Sequence, residues 1–199
     1  MPNPLRILLL LFLFTYTTSA WGQHLQAGDQ APDFKVKDAM GKGIQLSHCQ
    51  EGKVLLSFFS HIGSPTCHLR LQQLIEDYEE LQANGIAVIA IFESDEEMVQ
   101  AFLAESPVPF PIIADADLQL YTPYKIDKSL GKALSSATKK QYHRDRKAGK
   151  ALLKGKSYQR KGLGHRICAD FMIENGMILE AHYGQYIGDH LPMYRIHQY

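Results

Sequence analysis

Residues 54–59 (VLLSFF) and the stretch 60–70 that follows them (SHIGSPTCHLR) decide the fold of this 199-residue chain. A near-continuous apolar run of strand length is the pattern of a strand buried on both faces. Ser64 is a favourable helix N-cap, and Pro65 is a favourable first helical residue. The sequence therefore predicts a buried central strand, a tight loop and a helix that carries Cys67 in its first turn.

Apolar periodicity predicts strands alternating with helices through the rest of the chain. Ser94 and Glu97 form a capping box that marks the start of one helix, and Asn175-Gly176 is a hairpin signal. The predicted elements are a hairpin within 34–46, the strand 54–59, a helix ended by Gly85, a strand at 86–92, a helix after Ser94, a strand at 110–114, a long insert, strands at 170–174 and 177–182, and a helix at 189–197. This order predicts an α/β fold with a mixed central sheet flanked by helices.

The start of the chain has the order of a secretory signal peptide, with Arg6, the apolar run 7–14 and then small polar residues. We expect cleavage to remove residues 1–20, or 1–22 as the alternative, and to leave one domain over 23–199. The apolar run is too short for a membrane span, which needs about 20 residues, so a membrane-anchored form is the less favoured alternative. The protein is thus predicted to be secreted or periplasmic.

Charge is segregated along the chain, although 21 Lys+Arg balance 21 Asp+Glu. Residues 125–166 contain 14 Lys+Arg and two acids, a net charge of +12. Ile126, Leu130 and Leu134 recur every four residues and predict a helical first part, whereas Gly149 and later glycines are expected to interrupt the rest. This basic insert is either a solvated helical excursion held by a few leucines or a contact surface for an anionic surface or an acidic protein. Nucleic acid is not expected as a partner of an exported protein with so few aromatic residues there.

Cys67 is the candidate nucleophile. The unpaired N–H groups and the dipole of a first helical turn stabilise a thiolate, and His68 and Arg70 are expected to add positive charge. The carboxyl end of a parallel strand is also where open α/β folds place their sites. The alternative is a small apolar cysteine packed in the core.

Several sequence blocks resemble one family, the peroxiredoxin-like (alkyl hydroperoxide reductase/thiol-specific antioxidant) branch of the thioredoxin superfamily. The blocks are AGDQAPDF at 27–34, VLLSFF at 54–59, SPTC at 64–67, ADFMIENG at 169–176 and HYGQYIGDHLP at 182–192. The resemblance implies a thioredoxin-like fold and thiol-based redox chemistry. The chain departs from the family pattern in two ways: Ser60 replaces a proline, and Cys67 lacks the first cysteine of a CxxC pair.

The resemblance also implies roles for individual residues. Cys67 matches the peroxidatic cysteine, and the hydroxyl of Ser64 would hydrogen-bond the thiolate or a bound peroxide. Arg166, or its rival Arg70, would stabilise the charge that develops as the O–O bond breaks. The alternative for both arginines is a surface or salt-bridged position.

The other two cysteines are too few for a disulfide scaffold. Cys168 falls where thioredoxin-like folds place a cis-proline that faces the active-site cysteine. It is therefore a resolving cysteine, a packed bystander or half of a metal or cluster site. Cys49 precedes the strand that Cys67 follows, so we expect it at the opposite edge of the sheet, as a structural residue or a free thiol.

Three functions are compatible with these observations. The favoured one is an exported antioxidant oxidoreductase that reduces hydroperoxides through Cys67 and is regenerated by an external thiol. A thiol-disulfide reductase or redox relay that acts on exported proteins is the second, and a non-catalytic binding module that uses the basic insert is the third. No cofactor is expected, and a metal site built from His61, Cys67, His68 and His165 is a minor alternative.

Overall fold

The computed structural model describes residues 24–49, 52–154 and 166–199. The predicted signal peptide and residues 155–165 of the basic insert lie outside the described residues. The elements are β1 (Lys35–Lys37), β2 (Gly43–Gln45), β3 (Lys53–Phe59), α1 (Pro65–Glu76), α2 (Tyr78–Ala83), β4 (Ile86–Phe92), α3 (Glu96–Glu105), β5 (Ile112–Ala114), α4 (Leu130–Ser135), α5 (Lys140–Leu152), β6 (Ala169–Glu174), β7 (Met177–Tyr183) and α6 (Met193–Ile196). No helix in the described ranges is both long enough and apolar enough to cross a membrane.

Five strands of the described chain form one mixed sheet in the order β5-β4-β3-β6-β7. Strand β3 pairs parallel with β4 and antiparallel with β6, and β1 and β2 form a separate antiparallel hairpin. This architecture confirms the predicted α/β thioredoxin-like fold with its N-terminal hairpin. Asn175 and Gly176, both at positive φ, join β6 to β7 as the hairpin signal predicts.

The apolar run that the sequence places in a central strand lies in β3, where every side chain from Val54 to Phe59 is buried. Alternate residues serve opposite faces of the sheet. Leu55 and Phe59 pack on the face that carries α1, whereas Leu56 and Phe58 pack against a second cluster on the other face. Burial on both faces explains why the run is apolar without alternation.

Two predicted helix boundaries are wrong. The helix expected to run to Gly85 is interrupted at Asp77, between α1 and α2. The capping box is also incorrect, because Asp95 is the N-cap residue of α3. The hydroxyl of Ser94 instead accepts a hydrogen bond from the backbone N–H of Ile62, at 3.0 Å. Ser94 thereby supports the loop between β3 and α1.

The closing helix is shorter than its apolar pattern predicts. It covers only Met193–Ile196, because Pro192 provides an extended N-cap residue. The residues before it form a loop in which Asp189 accepts a hydrogen bond from the backbone N–H of Gln185, at 2.7 Å. This loop between β7 and α6, residues 184–192, is called the 184–192 loop below.

The basic insert differs most from its prediction. Ile126 is buried, but Leu130 and Leu134 are 57% and 66% exposed, so these two leucines do not hold the segment as predicted. Gly149 does not break the chain; it lies inside helix α5 and is buried. A Cβ added at Gly149 would lie 1.7 Å from the carbonyl oxygen of Pro65. The glycine therefore permits α5 to cross the start of α1 closely, next to Cys67.

Candidate active site

Cys67 lies three residues into α1, immediately beyond the end of β3. Ser64 is the extended N-cap residue and Pro65 the first helical residue, as predicted. Cys67 is 0% exposed, so the thiol is enclosed. The Ser64 side chain does not cap the helix, because its hydroxyl pairs with that of Thr66 at 3.1 Å. The backbone N–H groups of the first turn thus remain the local source of positive potential.

Ser60 supplies the hydroxyl that the sequence assigns to Ser64. Its Oγ lies 3.2 Å from Cys67 Sγ, and Ser60 is only 5% exposed. The signal for this contact is present in the chain, since Ser60 is the residue that replaces the family's proline. A proline could not donate a hydrogen bond at this position.

Cys168 precedes β6 and lies beside Cys67, where the expected register places it. The two side chains hydrogen-bond each other. Both residues are buried and carry free thiols. Within the described residues, no group of three or more His, Cys, Asp or Glu is arranged to hold a metal ion. Cys49 lies before β3, at the opposite end of that strand, and packs against the second core cluster.

The electrostatics of the cysteine pair are asymmetric. Burial opposes ionisation of Cys67, but hydrogen bonds from Cys168, Ser60 and the backbone of His61, and then the charge of His190, hold its pKa well below the usual range. The same hydrogen bond with Cys67, followed by burial, raises the pKa of Cys168 well above its usual range. The geometry thus favours a thiolate at Cys67 and a protonated thiol at Cys168.

Arg166 is held by a network at the end of the sheet. Its Nε and Nη2 donate to the carboxylate of Glu93 at 2.9 and 3.4 Å, and its Nη1 donates to the carbonyl oxygen of Ile126. The guanidinium also lies 5.0 Å from the ring centroid of Tyr121. Burial opposes ionisation of Glu93, but the hydrogen bond and charge of Arg166 lower its pKa. Arg166 thus anchors the insert to the sheet.

Arg70 has donors that no described residue uses. It lies one turn after Cys67 in α1 and is 4% exposed. Its Nε and Nη2 have no hydrogen-bond partner among the described residues. Burial lowers the pKa of Arg70, while the nearby Asp170 and Cys168 oppose that shift. Of the two arginines that the sequence singles out, Arg70 has the donors that a reacting oxygen requires.

A buried Asp170–His190 pair is the feature that sequence reasoning missed. Asp170 is 0% exposed and accepts hydrogen bonds from His190 Nδ1, at 3.0 Å, and from the backbone N–H of Leu191, at 2.7 Å. The hydroxyl of Ser57 donates a further short bond. Burial opposes ionisation of Asp170, but His190 first, then Arg70 and Ser57, lower its pKa. Both partners lie in blocks that carry the family resemblance, yet no spacing rule links two residues from different elements.

The 184–192 loop packs against Thr66, the neighbour of Cys67, and its Gly188 backbone hydrogen-bonds Cys168. Gly188 adopts φ +82° against the side chain of Thr66, where an added Cβ would lie 2.6 Å from Thr66 Cβ. A cavity of about 140 Å³ borders Ser60, Ser64 and Thr66, with Tyr142 and Arg146 of α5 on its wall. A second cavity of about 420 Å³ borders Thr66 on another side, and Arg70 and His190 contribute to its lining. Both cavities therefore meet at the residue that precedes the nucleophile.

The chain is similar to known peroxiredoxins and thiol-disulfide oxidoreductases. The AhpC/TSA family model matches residues 27–146. Peroxiredoxin Bcp of Escherichia coli K12 is 29% identical over 96 residues, which are 48% of this chain and 62%, less than two thirds, of that protein. The thiol-disulfide oxidoreductase ResA of Bacillus subtilis is 26% identical over 125 residues, 60% of this chain and 69% of that protein.

A solved structure extends the comparison of the fold. The crystal structure of the peroxidoxin BcpB from Mycobacterium tuberculosis superposes with a TM-score of 0.60 over 83% of this chain and 90% of that chain. Its sequence identity is 16%, so this likeness shows the fold alone. The family match includes Cys67 but ends before Cys168, Asp170 and His190. The positions of these three residues relative to Cys67 are therefore known from the structure and not from the family match.

Proposed function

Because the chain belongs to the AhpC/TSA family, we propose that it is an exported thiol-dependent oxidoreductase that reduces hydroperoxides through Cys67. The observation that carries the proposal is the enclosed Cys67, which has a lowered pKa and a protonated Cys168 hydrogen-bonded to it. A thiolate is the reactive form of cysteine toward peroxide. The lowered pKa of Cys67 favours catalysis over a non-catalytic binding module.

The first chemical step forms a sulfur–oxygen bond. The Cys67 thiolate attacks the terminal oxygen of a hydroperoxide, the O–O bond breaks, and the remaining oxygen leaves as an alcohol or water after it gains a proton. Cys67 is oxidised to a sulfenic acid, and the peroxide is reduced. We assign to Arg70, whose Nε and Nη2 have no partner among the described residues, the stabilisation of charge on the departing oxygen.

The second step uses Cys168 as the resolving cysteine. Its sulfur attacks the Cys67 sulfenic acid, a disulfide forms, and water leaves with the thiol proton. The negative charge and hydrogen bond of Cys67 help to raise the pKa of Cys168. Oxidation of Cys67 removes that charge, so Cys168 becomes more acidic in the step that needs its thiolate. An external dithiol, or two thiols, then reduces the disulfide.

The basic insert forms part of the wall of the smaller cavity near Cys67. Arg146 of α5 lies on the wall of the smaller cavity together with Ser60 and Ser64. We expect this charge to favour hydroperoxides that carry a carboxylate over neutral ones, by roughly two- to fivefold for an exposed charge. Arg146→Gln tests this expectation, and Arg144→Gln is the control because Arg144 hydrogen-bonds Gln141 instead. An unchanged ratio of the two rate constants in Arg146→Gln would count against this role for the insert.

The decisive experiment is mass spectrometry of the exported protein before and after one equivalent of hydrogen peroxide. The wild-type chain should form a Cys67–Cys168 disulfide, and Cys168→Ser should accumulate a sulfenic acid that dimedone traps at Cys67. Cys49→Ser is the matched control and should behave as wild type. Persistent peroxide-dependent thiol oxidation in Cys67→Ser would disprove the proposal. The same spectrum shows the N-terminus and thereby tests export.

A thiol-disulfide reductase or redox relay for exported proteins is the second candidate. The adjacency of Cys67 and Cys168 supports it, as does the similarity to ResA. In Cys168→Ser, an attacked partner disulfide would remain joined to Cys67 because no second thiol can release it. Trapping such a mixed disulfide, together with no reaction with peroxide, would select this function. Rapid peroxide reduction with no trapped partner would select the first.

A further inference from the structure

His190 has one ring nitrogen fixed and the other unused. Nδ1 lies 3.0 Å from Asp170 Oδ2, and the His190 side chain is only 4% exposed. Nε2 is buried and has no hydrogen-bond partner within the described part of the chain. A buried nitrogen without a partner is costly in a resting structure. Such an atom indicates a group that acts when another molecule enters.

The Asp170 carboxylate decides which nitrogen exchanges a proton. An ionised carboxylate only accepts hydrogen bonds, so Nδ1 must carry a hydrogen. Asp170 is itself held by Ser57 and by the backbone N–H of Leu191. The orientation of the imidazole is thus fixed, and Nε2 is the position at which a proton can be given or taken.

His190 packs against the core cluster that contains the two sulfurs. Its ring centroid lies 4.9 Å from that of Phe59, the last residue of β3. Phe59, Leu191, Cys67 and Cys168 belong to one packed cluster. The charge of His190 also acts on Cys67. The charged and titratable groups around His190 are Cys67 and Arg70 from α1, Cys168 immediately before β6, Asp170 from β6, His182 from β7, Asp189 from the 184–192 loop and Asp145 from α5.

We propose that His190 is the catalytic acid of peroxide cleavage, with Asp170 as its positioning residue; this inference rests on the proposed function. The Cys67 thiolate bonds to the terminal oxygen of the hydroperoxide while the O–O bond breaks. The imidazolium of His190 gives its Nε2 proton to the departing oxygen. The products are the Cys67 sulfenic acid, an alcohol or water, and a neutral imidazole. Reduction of the oxidised cysteine by an external thiol returns the proton to His190.

The other groups near the sulfurs are less suited to this proton transfer. Arg70 keeps its protons under all ordinary conditions, so it stabilises charge without protonating the oxygen. The Cys168 thiol is a poor acid while Cys67 is a thiolate, because its pKa is raised. An alkoxide released among buried apolar side chains would lack solvation. General acid catalysis by a positioned side chain contributes about 10²–10⁴-fold to the rate.

The test measures the rate constant of Cys67 oxidation in the full chain, wild type and His190→Asn, with two peroxides that differ in their leaving group. tert-Butyl hydroperoxide releases an alkoxide, which needs a proton, whereas peracetic acid releases a carboxylate, which does not. We expect His190→Asn to lose about 100-fold in the rate constant of Cys67 oxidation by tert-butyl hydroperoxide, and at most a few-fold with peracetic acid. His182→Asn is the matched control, because His182 pairs with Asp189 at 3.6 Å, and it should retain both rates.

Each outcome decides the inference. Equal losses with both peroxides, accompanied by slower alkylation of Cys67 by iodoacetamide, would mean that His190 only supports the thiolate, and would overturn the proposal. Unchanged rates in His190→Asn would also overturn it. A wild-type chain that reacts with neither peroxide would instead refute the proposed function, which this pair of reagents separates from a failure of His190.

Wild-type protein provides a second measurement if His190→Asn fails to fold. Both peroxides react with the Cys67 thiolate, so the ratio of the rate constants for tert-butyl hydroperoxide and peracetic acid does not depend on the fraction of Cys67 that is ionised. In heavy water the rate constant for tert-butyl hydroperoxide should fall relative to that for peracetic acid, because only the alkyl hydroperoxide requires a proton on its departing oxygen. A ratio that is the same in light and heavy water would overturn the assignment of His190 as the acid.

Discussion

Ser60→Ala should raise the pKa of Cys67, because it removes a hydrogen bond that stabilises the thiolate. The two atoms lie 3.2 Å apart, and Ser60 and Cys67 are 5% and 0% exposed. Water cannot readily replace the lost donor at such a site. A hydrogen bond to a charged group contributes about 1.5–3 kcal/mol. One pKa unit corresponds to about 1.4 kcal/mol, so the expected increase is about 1–2 units.

The assay is the pH dependence of Cys67 alkylation by iodoacetamide, followed by mass spectrometry of the peptides. This readout separates Cys67 from Cys49 and Cys168. Ser64→Ala is the matched control, since the Ser64 hydroxyl pairs with Thr66 rather than with the sulfur. In Ser64→Ala, the pKa of Cys67 should stay within about 0.3 units of the wild-type value.

The reverse result would refute the reasoning. If Ser64→Ala raises the pKa of Cys67 by a unit and Ser60→Ala leaves it unchanged, the thiolate takes its hydrogen bond from the residue that the family pattern indicates. A shift in neither variant would show that backbone N–H groups and charge alone stabilise the thiolate.

Other perturbations test the framework of the site. Arg166→Ala should lower the free energy of unfolding in urea by about 2–3 kcal/mol, because it removes a buried guanidinium that bonds Glu93 and the carbonyl oxygen of Ile126 and leaves Glu93 with Lys128 alone; a loss below about 0.5 kcal/mol would contradict a structural role. Gly149→Ala should cost about 1–3 kcal/mol, since its methyl group would meet the backbone of α1. Gly131→Ala, which has open space around its Cβ, should be neutral or stabilising, and equal melting temperatures for the two variants would argue against the close crossing. The lowered pKa values of Asp170 and Glu93 stabilise the fold above the ordinary carboxyl pKa of about 4, and this contribution is lost as pH falls through their folded values. Urea unfolding followed from pH 7 down to about pH 2 should show the loss develop below about pH 4, and a smaller loss in Arg166→Ala.

The sequence predicts the sheet and the position of the nucleophile because their signals are local. Burial on both faces makes β3 apolar at every position, and the N-cap and proline before Cys67 act within one helical turn. The hairpin at Asn175-Gly176 is likewise set by two residues that adopt positive φ. Such features depend on neighbours along the chain, so a single sequence displays them.

Errors arise where a residue has an alternative partner far away in the chain. Ser94 has the spacing of a helix cap, but its hydroxyl is used by the backbone of Ile62, 32 positions earlier. Gly149 has the composition of a helix break, but the helix that crosses it needs a residue without a side chain. In both positions a tertiary contact overrides the local preference.

The chain by itself determined an α/β fold with a mixed sheet, one thiol at a helix start and a basic insert, because these follow from periodicity, capping and charge; the family resemblance added the thioredoxin-like topology. Only the tertiary structure decided which side chains surround that thiol. Ser60 contacts the Cys67 sulfur, whereas the Ser64 hydroxyl pairs with Thr66. Arg166 donates its hydrogen bonds to Glu93, whereas two donors of Arg70 have no partner among the described residues. The pairing of β3 with β6 places Asp170 beside Ser57, and the 184–192 loop brings His190 to Asp170 and to the ring of Phe59. Contacts between separate elements depend on strand register and packing, which no short stretch of sequence encodes.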